Sequence, residues 1–177
     1  MHRTGIKTAK GQVLQSLRQK KMLIVGCGYV GEALGKNLVA QGGEVDGIKR
    51  RGCLPEEIQH LKIDVSHSFS LEKEYDVVFY MVSPNDSSLE SYERAYKTGV
   101  KNLLMALKSQ KRPPFIALVS STRVFAEKGG KWVNETSSIQ KEDFRAKCLW
   151  QGEQQIKESG LNCSIVRFSG IYGPGRE

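Results

Sequence analysis

Short apolar runs alternate with longer amphipathic segments along most of this chain. The apolar runs predict β-strands at residues 22–26, 44–48, 60–63, 76–82, 115–120 and 163–168. Apolar residues at helical spacing predict helices at residues 29–40, 89–109 and 139–159. Strands that alternate with helices are typical of a parallel sheet assembled from βαβ units. The pattern therefore predicts an α/β fold, a doubly wound parallel sheet with helices on both faces.

A glycine motif joins the first predicted strand to the first predicted helix, in "VGCGYVGEALG". Gly26, Gly28 and Gly31 have the spacing G-x-G-x-x-G, which permits a tight turn, close approach of a pyrophosphate, and close packing of helix on strand. The free amides at the helix start favour phosphate, and we expect Tyr29 and Val30 to border it. A tight turn without a ligand is the alternative interpretation, but the flanking strands and helix favour a dinucleotide site.

The end of the second predicted strand bears on the choice of nucleotide. An acidic residue about 20 positions after the motif would bind a ribose 2′-hydroxyl, and Asp46 has nearly that spacing but falls in mid-strand. The strand instead leads into Lys49, Arg50 and Arg51. Because cationic side chains, arginine above all, match a 2′-phosphate, we predict NADP in preference to NAD. A solvated basic turn remains the alternative.

Two further strand ends supply candidate cofactor contacts. Asp64 and Val65 follow the third predicted strand, in "LKIDVS". Asp64 either accepts a hydrogen bond from the adenine amino group or caps the segment that follows. Met81, Val82 and Ser83 end the fourth strand, and ligands bind at the carboxyl edge of open α/β sheets. We expect all five residues to lie beside the cofactor.

The basic charge of the chain is concentrated at its beginning. The formal net charge is +8, but six of the 27 basic residues and none of the acidic ones fall within residues 1–21. Charge outside a folded face argues against nucleic-acid binding. We expect residues 1–21 to be a disordered tail, a transit-like peptide, or sequence translated ahead of a natural start at Met22. The strand that opens at Met22 favours the last of these.

Several classes of protein are disfavoured by composition. No apolar run reaches the roughly 18 residues that a membrane span needs, and the start lacks the apolar core of a secretory signal. The four cysteines form no C-x-x-C pair and the chain has only three histidines, so a metal site is not expected. We therefore expect a soluble, cytoplasmic protein with free thiols.

Taken together, the motifs resemble those of the NAD(P)-dependent epimerase/dehydratase superfamily, the extended and atypical short-chain dehydrogenase/reductases. The matching stretches are "VGCGYVGEALG", "GIKRR", "IDVS", "YKTGVKNLLMAL", "LVSSTRVFAEKGGKWVNET" and "VRFSGIYGPGR", which occur in the family order across residues 22–176. The resemblance implies a Rossmann domain that binds NAD(P) along the strand ends, with Ser120, Ile171 and Tyr172 near the nicotinamide. It also implies a homodimer paired through two helices.

The same resemblance identifies a catalytic region and a departure from it. In catalytic relatives a serine or threonine after the fifth strand polarises the substrate, and a tyrosine with a lysine four residues later transfers a proton. Ser121 and Thr122 match the first part. No tyrosine in this chain has a lysine four positions on, and Phe144 with Lys147 occupies the helix where the pair belongs. Phe125 likewise replaces a tyrosine, and a phenyl ring exchanges no proton.

Two functions are consistent with these residues. One is an NADP-dependent oxidoreductase or epimerase acting on a small or nucleotide-sugar-like substrate with a hydroxyl or carbonyl group. The other is a non-catalytic NADP-binding sensor or regulatory module. The chain closes with "GIYGPGRE" directly after the last predicted strand. We therefore expect a nucleotide-binding domain at residues 22–177 without the smaller substrate domain of the family.

Overall fold

The computed structural model describes residues 17–173, and within them the chain forms a six-stranded parallel sheet. The strands are β1 (Lys21–Val25), β2 (Glu44–Ile48), β3 (Gln59–Leu61), β4 (Val77–Tyr80), β5 (Phe115–Ser121) and β6 (Cys163–Phe168). Their order across the sheet is β3-β2-β1-β4-β5-β6. This order reverses direction between β1 and β4, as in the Rossmann fold, which confirms the predicted fold class.

The helices follow β1, β4 and β5 and lie on the two faces of the sheet. They are α1 (Tyr29–Ala40), α2 (Leu89–Glu93), α3 (Gly99–Leu107) and α4 (Phe144–Glu158), with a π-helical segment (Arg94–Thr98) between α2 and α3. The helix predicted at 89–109 is therefore one continuous helical path with a wide turn at its middle. The predicted bounds of the other elements agree within two residues, apart from the start of α4.

The prediction that the last helix begins at residue 139 is wrong by five residues. Ile139 instead forms an antiparallel bridge with Phe125, and the amide of Gln140 donates to the carbonyl of Val124 at 2.8 Å. The helix begins after Asp143, whose carboxylate accepts a hydrogen bond from the amide of Arg145 at 2.9 Å. This N-cap satisfies an amide that has no partner inside the helix, so it fixes the start of α4.

Alternate residues of β1 enter two separate cores. Leu23 and Val25 belong to the core that includes residues of α3 and α4, whereas Met22 and Ile24 pack with Leu38 of α1. None of these four residues is exposed to solvent. Side chains of a strand point alternately to opposite faces, and a strand covered on both faces is apolar throughout. The helices therefore lie on both faces of the sheet, as predicted.

The two ends of the chain lie outside the described residues. Most of the predicted leader, residues 1–16, and the last four residues of "GIYGPGRE" fall there. Among residues 17–173, no helix has the length and apolar character needed to cross a bilayer.

Candidate functional site

A cleft runs along the carboxyl ends of the strands and consists of two adjoining cavities. The first cavity, of about 270 Å³, extends toward the ends of β2 and β3. The second cavity, of about 260 Å³, extends toward the ends of β5 and β6. Both are lined by Gly26, Gly28, Met81, Val82 and Ser83, so they meet above the glycine motif. The cleft is thus centred where the strand order reverses, at the switch point where ligands bind in this fold.

The glycine motif forms the floor between the two cavities. Gly26 has φ +85°, and a Cβ there would lie 2.6 Å from the backbone nitrogen of Val82. The amides of Gly26 and Cys27 both donate to the carbonyl of Ile48, at 3.0 and 2.9 Å, which anchors the turn to β2. Only glycine therefore fits at position 26, because of both its conformation and the close strand.

Gly28 differs from Gly26 in facing open space. It is the N-cap residue of α1, and a Cβ at this position would meet nothing within 4 Å. The amides of the first turn of α1 carry the positive end of the helix dipole and have no partner inside the helix. A phosphate-bearing ligand thus has an unobstructed approach to the start of a twelve-residue helix.

The three basic residues after β2 all line the first cavity, but they differ in their partners. Lys49 Nζ lies 2.6 Å from Glu32 Oε1 of α1. Arg50 spans the cavity, donating to Asp64 Oδ2 at 3.3 Å and to the side-chain oxygen of Asn85. Arg51 is exposed and has no ion pair with any residue of the described range. Of the three, Arg51 is the cation available to a ligand without breaking an ion pair.

The carboxylate of Asp64 accepts hydrogen bonds from the segment that follows it, as a capping residue does. Its Oδ1 accepts hydrogen bonds from the amide and the hydroxyl of Ser66, at 2.9 and 2.8 Å, while Oδ2 faces Arg50. Burial tends to raise the pKa of this carboxyl, but the bonds from Ser66 and the Arg50 guanidinium outweigh it and lower the pKa. Asp64 lines a small cavity beside the first, together with Val65 and Arg50. The hydrogen bonds from Ser66 therefore support the interpretation that Asp64 caps the segment that follows it.

Asp46 lies away from the cleft. It is 2% exposed and lines neither cavity. Its Oδ2 accepts a hydrogen bond from the hydroxyl of Tyr75 at 2.8 Å and lies 3.0 Å from Lys73 Nζ. Burial, together with this carboxylate, raises the pKa of the Tyr75 hydroxyl. Asp46 is thus a buried carboxylate that binds Tyr75 and the partly exposed Lys73. Although it has nearly the spacing from the glycine motif that a ribose-binding acid would have, it does not reach the cleft.

The hydroxyl residues at the end of β5 have three different environments. Ser121 lines the second cavity and its Oγ accepts a hydrogen bond from the amide of Arg123 at 3.2 Å. Ser120 also lines it, but its hydroxyl donates to the buried carboxylate of Glu153 at 2.6 Å. Thr122 is exposed and lies outside the lining of both cavities. Ser121 is therefore the hydroxyl best placed to meet a ligand.

The other predicted contacts divide between the cavity wall and the surface. Tyr29, Val30, Gly31 and Ile171 line the second cavity. Tyr172 is 88% exposed and does not line it. Sequence reasoning missed lining residues in both cavities: Cys27, Ile48, Ile63 and Asn85 in the first, and Tyr96, Val119, Phe168 and Ser169 in the second. Most of them adjoin a predicted strand end, which is the signal that could have found them.

Phe125 and Phe144, which the resemblance matches to tyrosines of the family, pack against other side chains. The guanidinium of Arg167 lies 4.8 Å from the ring centroid of Phe125. The ring of Phe144 meets that of Tyr92 edge-on, with centroids 5.9 Å apart. Neither phenylalanine lines the cleft, and Lys147 is exposed on α4. These contacts leave both rings without direct access to a ligand in either cavity.

Comparison with solved structures finds the same fold in longer proteins. A protein from Methylobacillus flagellatus, provisionally assigned as an NAD-dependent epimerase/dehydratase, is 31% identical, with a TM-score of 0.72; the match covers 89% of this chain and 56% of that one. UDP-glucuronic acid 4-epimerase from Bacillus cereus, solved with NAD, is 21% identical, with a TM-score of 0.74, over 87% of this chain and 58% of that one. The chain thus spans less than two thirds of either structure. No match exists among curated proteins.

The family model of the RmlD substrate binding domain matches residues 20–177, which include the whole sheet and both cavities. The Rossmann strand order and the glycine motif at its switch point both lie within this matched range. The chain belongs to the RmlD substrate binding domain family.

Proposed function

We propose that the chain binds NADP or NAD in the cleft and forms the cofactor-binding part of an epimerase/dehydratase or oxidoreductase. The observation that carries this proposal is the open approach to Gly28 at the start of α1, where the two cavities meet. A Cβ at Gly28 would project into space that residues 17–173 leave empty. A pyrophosphate over this position would place one mononucleotide in each cavity.

The division of the cleft assigns each half of the cofactor a place. The first cavity, at the ends of β2 and β3, would hold the adenosine, and the second, at the ends of β5 and β6, the nicotinamide. When bound, the cofactor supplies the hydride chemistry, and the protein positions and shields the reacting groups. Ser121 would orient the hydroxyl or carbonyl of a small or nucleotide-sugar-like substrate by hydrogen bonding.

NADP is the proposed preference at the first cavity. Arg51 supports it, because its guanidinium is exposed at the cavity and has no ion pair with a described residue. Lys49 is already paired with Glu32, so a ligand phosphate would have to compete with that carboxylate for the ammonium group. The rival choice, NAD, is the cofactor named for the Bacillus cereus epimerase. In this proposal NADP and NAD differ by one ionic contact, which the 2′-phosphate of NADP makes with Arg51.

The alternative function is a non-catalytic nucleotide-binding module. It is favoured by Phe144 and Lys147, which occupy the helix where the tyrosine–lysine pair of the family belongs. If the reaction occurs, we propose that its proton transfer does not use that pair. The cofactor would bind in the same cleft under either function.

Titration of the purified chain with NADPH and NADH, followed by nicotinamide fluorescence, tests the proposal. A screen for hydride transfer to carbonyl substrates then separates the two functions. Binding with turnover supports the enzyme, whereas binding without turnover supports the module. If neither nucleotide binds, both functions are wrong.

A further inference from the structure

Tyr96 adds a tyrosine to the wall of the second cavity, from an element that the sequence pattern did not predict. It lies in the π-helical segment Arg94–Thr98 and is 9% exposed. It lines the second cavity together with Ser83 and Ser121, among others. Single-turn π-helical segments within α-helices occur frequently at functional sites. The wide turn therefore coincides with the place where this helical path reaches the cleft.

The wide turn is held by side chains from two neighbouring elements. The hydroxyl of Tyr80, in β4, donates to the carbonyl of Ala95. Gln155 Nε2, in α4, donates to the carbonyls of Tyr96 and Lys97, at 3.4 and 3.3 Å. A π-turn interrupts the regular helical bonds, and these donors supply partners for three successive carbonyls.

Close packing holds the same segment against α4. A Cβ at Gly152 would lie 2.7 Å from the carbonyl oxygen of Tyr96. Gly152 thus lets the two helices approach until backbone meets backbone. Tyr96 is also part of a buried cluster with Val124 and Leu149. The position of its side chain in the cavity wall is therefore set by the surrounding fold.

The hydroxyl of Tyr96 differs from those of the other buried tyrosines. Tyr75 and Tyr80 use their hydroxyls within the protein, on Asp46 and on the carbonyl of Ala95. Among residues 17–173, the only part of Tyr96 that accepts a side-chain hydrogen bond is its backbone carbonyl, and its hydroxyl has no partner there. Burial raises the pKa of Tyr96 to about 12, so the phenol is protonated at neutral pH and able to donate.

We propose that the hydroxyl of Tyr96 donates a hydrogen bond to the nicotinamide half of the bound dinucleotide. The acceptor is an oxygen of that half, either of the nicotinamide ribose or of the carboxamide. This inference rests on the proposed function, since it requires the cofactor to place its nicotinamide half in the second cavity. The hydroxyl of Ser120, a buried residue of that cavity, already donates to Glu153.

Tyr96→Phe tests the inference, because it removes one oxygen and keeps the packed ring. Tyr92→Phe is the matched control: Tyr92 lies one turn earlier, its ring centroid is 5.9 Å from that of Tyr96, and it lines neither cavity. Dissociation constants are measured for NADH, ADP-ribose and ADP, together with the thermal unfolding midpoint. We expect Tyr96→Phe to weaken NADH binding about 3- to 10-fold, the range for one hydrogen bond. We expect Tyr92→Phe to change nothing.

The three ligands identify the acceptor. A loss confined to NADH assigns the bond to the carboxamide, whereas an equal loss for NADH and ADP-ribose, with ADP unaffected, assigns it to the ribose. Unchanged NADH affinity would overturn the inference, as would equal weakening of all three ligands with a lower unfolding midpoint. If the unmodified chain binds ADP-ribose and NADH without any difference between the variants, the proposed function stands and the inference fails. If it binds none of the ligands, the proposed function itself is wrong.

Discussion

Glu153 and Arg167 form a two-point ion pair inside the protein. Arg167 Nε donates to Glu153 Oε1 at 3.0 Å, and Nη2 donates to Oε2 at 2.6 Å. The Glu153 side chain has no exposure, and that of Arg167 is 13% exposed. Oε1 also accepts the hydroxyl of Ser120 at 2.6 Å. The Glu153 carboxylate on α4 therefore contacts both β5, through Ser120, and β6, through Arg167, close to the strand ends that line the second cavity.

Loss of the Glu153 carboxylate should destabilise the protein severely. Glu153→Ala leaves the Arg167 guanidinium without its partner in the interior, and breaking a buried pair in this way costs about 3–5 kcal/mol. Urea unfolding measures the change. Glu158→Ala, at the exposed end of the same helix, should shift the free energy of unfolding by no more than about 0.5 kcal/mol. Similar small effects for both variants would contradict the role given to the ion pair.

Asp46 should contribute to stability and not to cofactor binding. Asp46→Asn removes the charge that pairs with Lys73 and should lower the free energy of unfolding by about 1–3 kcal/mol. Its dissociation constant for NADH should stay within about twofold of the original, because Asp46 lines neither cavity. A collapse of NADH affinity in a protein that remains folded would restore Asp46 as the residue that binds the ribose.

Arg51 should determine the preference for NADPH. Arg51→Ala removes from the first cavity a cation that forms no ion pair within residues 17–173, and we expect NADPH binding to weaken about 5- to 10-fold, as for loss of one charged hydrogen bond. NADH binding should be unaffected, because NADH has no 2′-phosphate. Lys62→Ala removes an exposed cation that lines neither cavity and is the matched control. Equal weakening of both nucleotides by Arg51→Ala would argue against a phosphate contact.

Protonation of Asp64 at low pH should remove the stability that its contacts with Ser66 and Arg50 provide. Burial raises its pKa, but the bonds from Ser66 and Arg50 prevail and hold the pKa below its ordinary value of 3.8. A depressed pKa stabilises the fold at pH values above the unfolded-state pKa, and this contribution disappears as the pH falls through the lower folded-state pKa. Asp64→Asn should therefore flatten the loss of stability below about pH 4. A curve of unfolding free energy against pH that keeps its original slope would contradict this.

The sequence was sufficient to predict the sheet, because alternating apolar strands and amphipathic helices need only local patterns. The glycine motif was equally readable, since its spacing and flanking strands are contiguous. The sequence predicted neither that Tyr96 lines the second cavity nor that Glu153 pairs with Arg167, because both arrangements depend on distant partners. Gln155 contacts the backbone beside Tyr96, and Arg167 pairs with Glu153. A π-turn has no periodic pattern of apolar residues that could reveal it.

The start of α4 and the role of Asp46 show the same limit. The amphipathic pattern could not exclude residues 139–143 from the helix, because the bridge from Ile139 to Phe125 crosses a long loop. Asp46 has nearly the expected distance along the chain from the glycine motif. However, its side chain contacts Tyr75 and Lys73, on the segment between β3 and β4. Spacing along a strand does not specify which face of the sheet a side chain occupies until the register is known.

Gly28→Ala is the most direct test of the proposal that a dinucleotide pyrophosphate lies over the start of α1. The added Cβ would meet no atom of the chain within 4 Å, so the free energy of unfolding should fall by no more than about 1 kcal/mol, the range for an N-cap change. If the added methyl group displaces the pyrophosphate, binding should lose at least about 1.4 kcal/mol, which corresponds to a tenfold change in the dissociation constant. Fluorescence titration should therefore show the dissociation constants for NADPH and NADH both raised about tenfold or more. A folded Gly28→Ala variant that binds both nucleotides as tightly as the unmodified chain would contradict the proposed site.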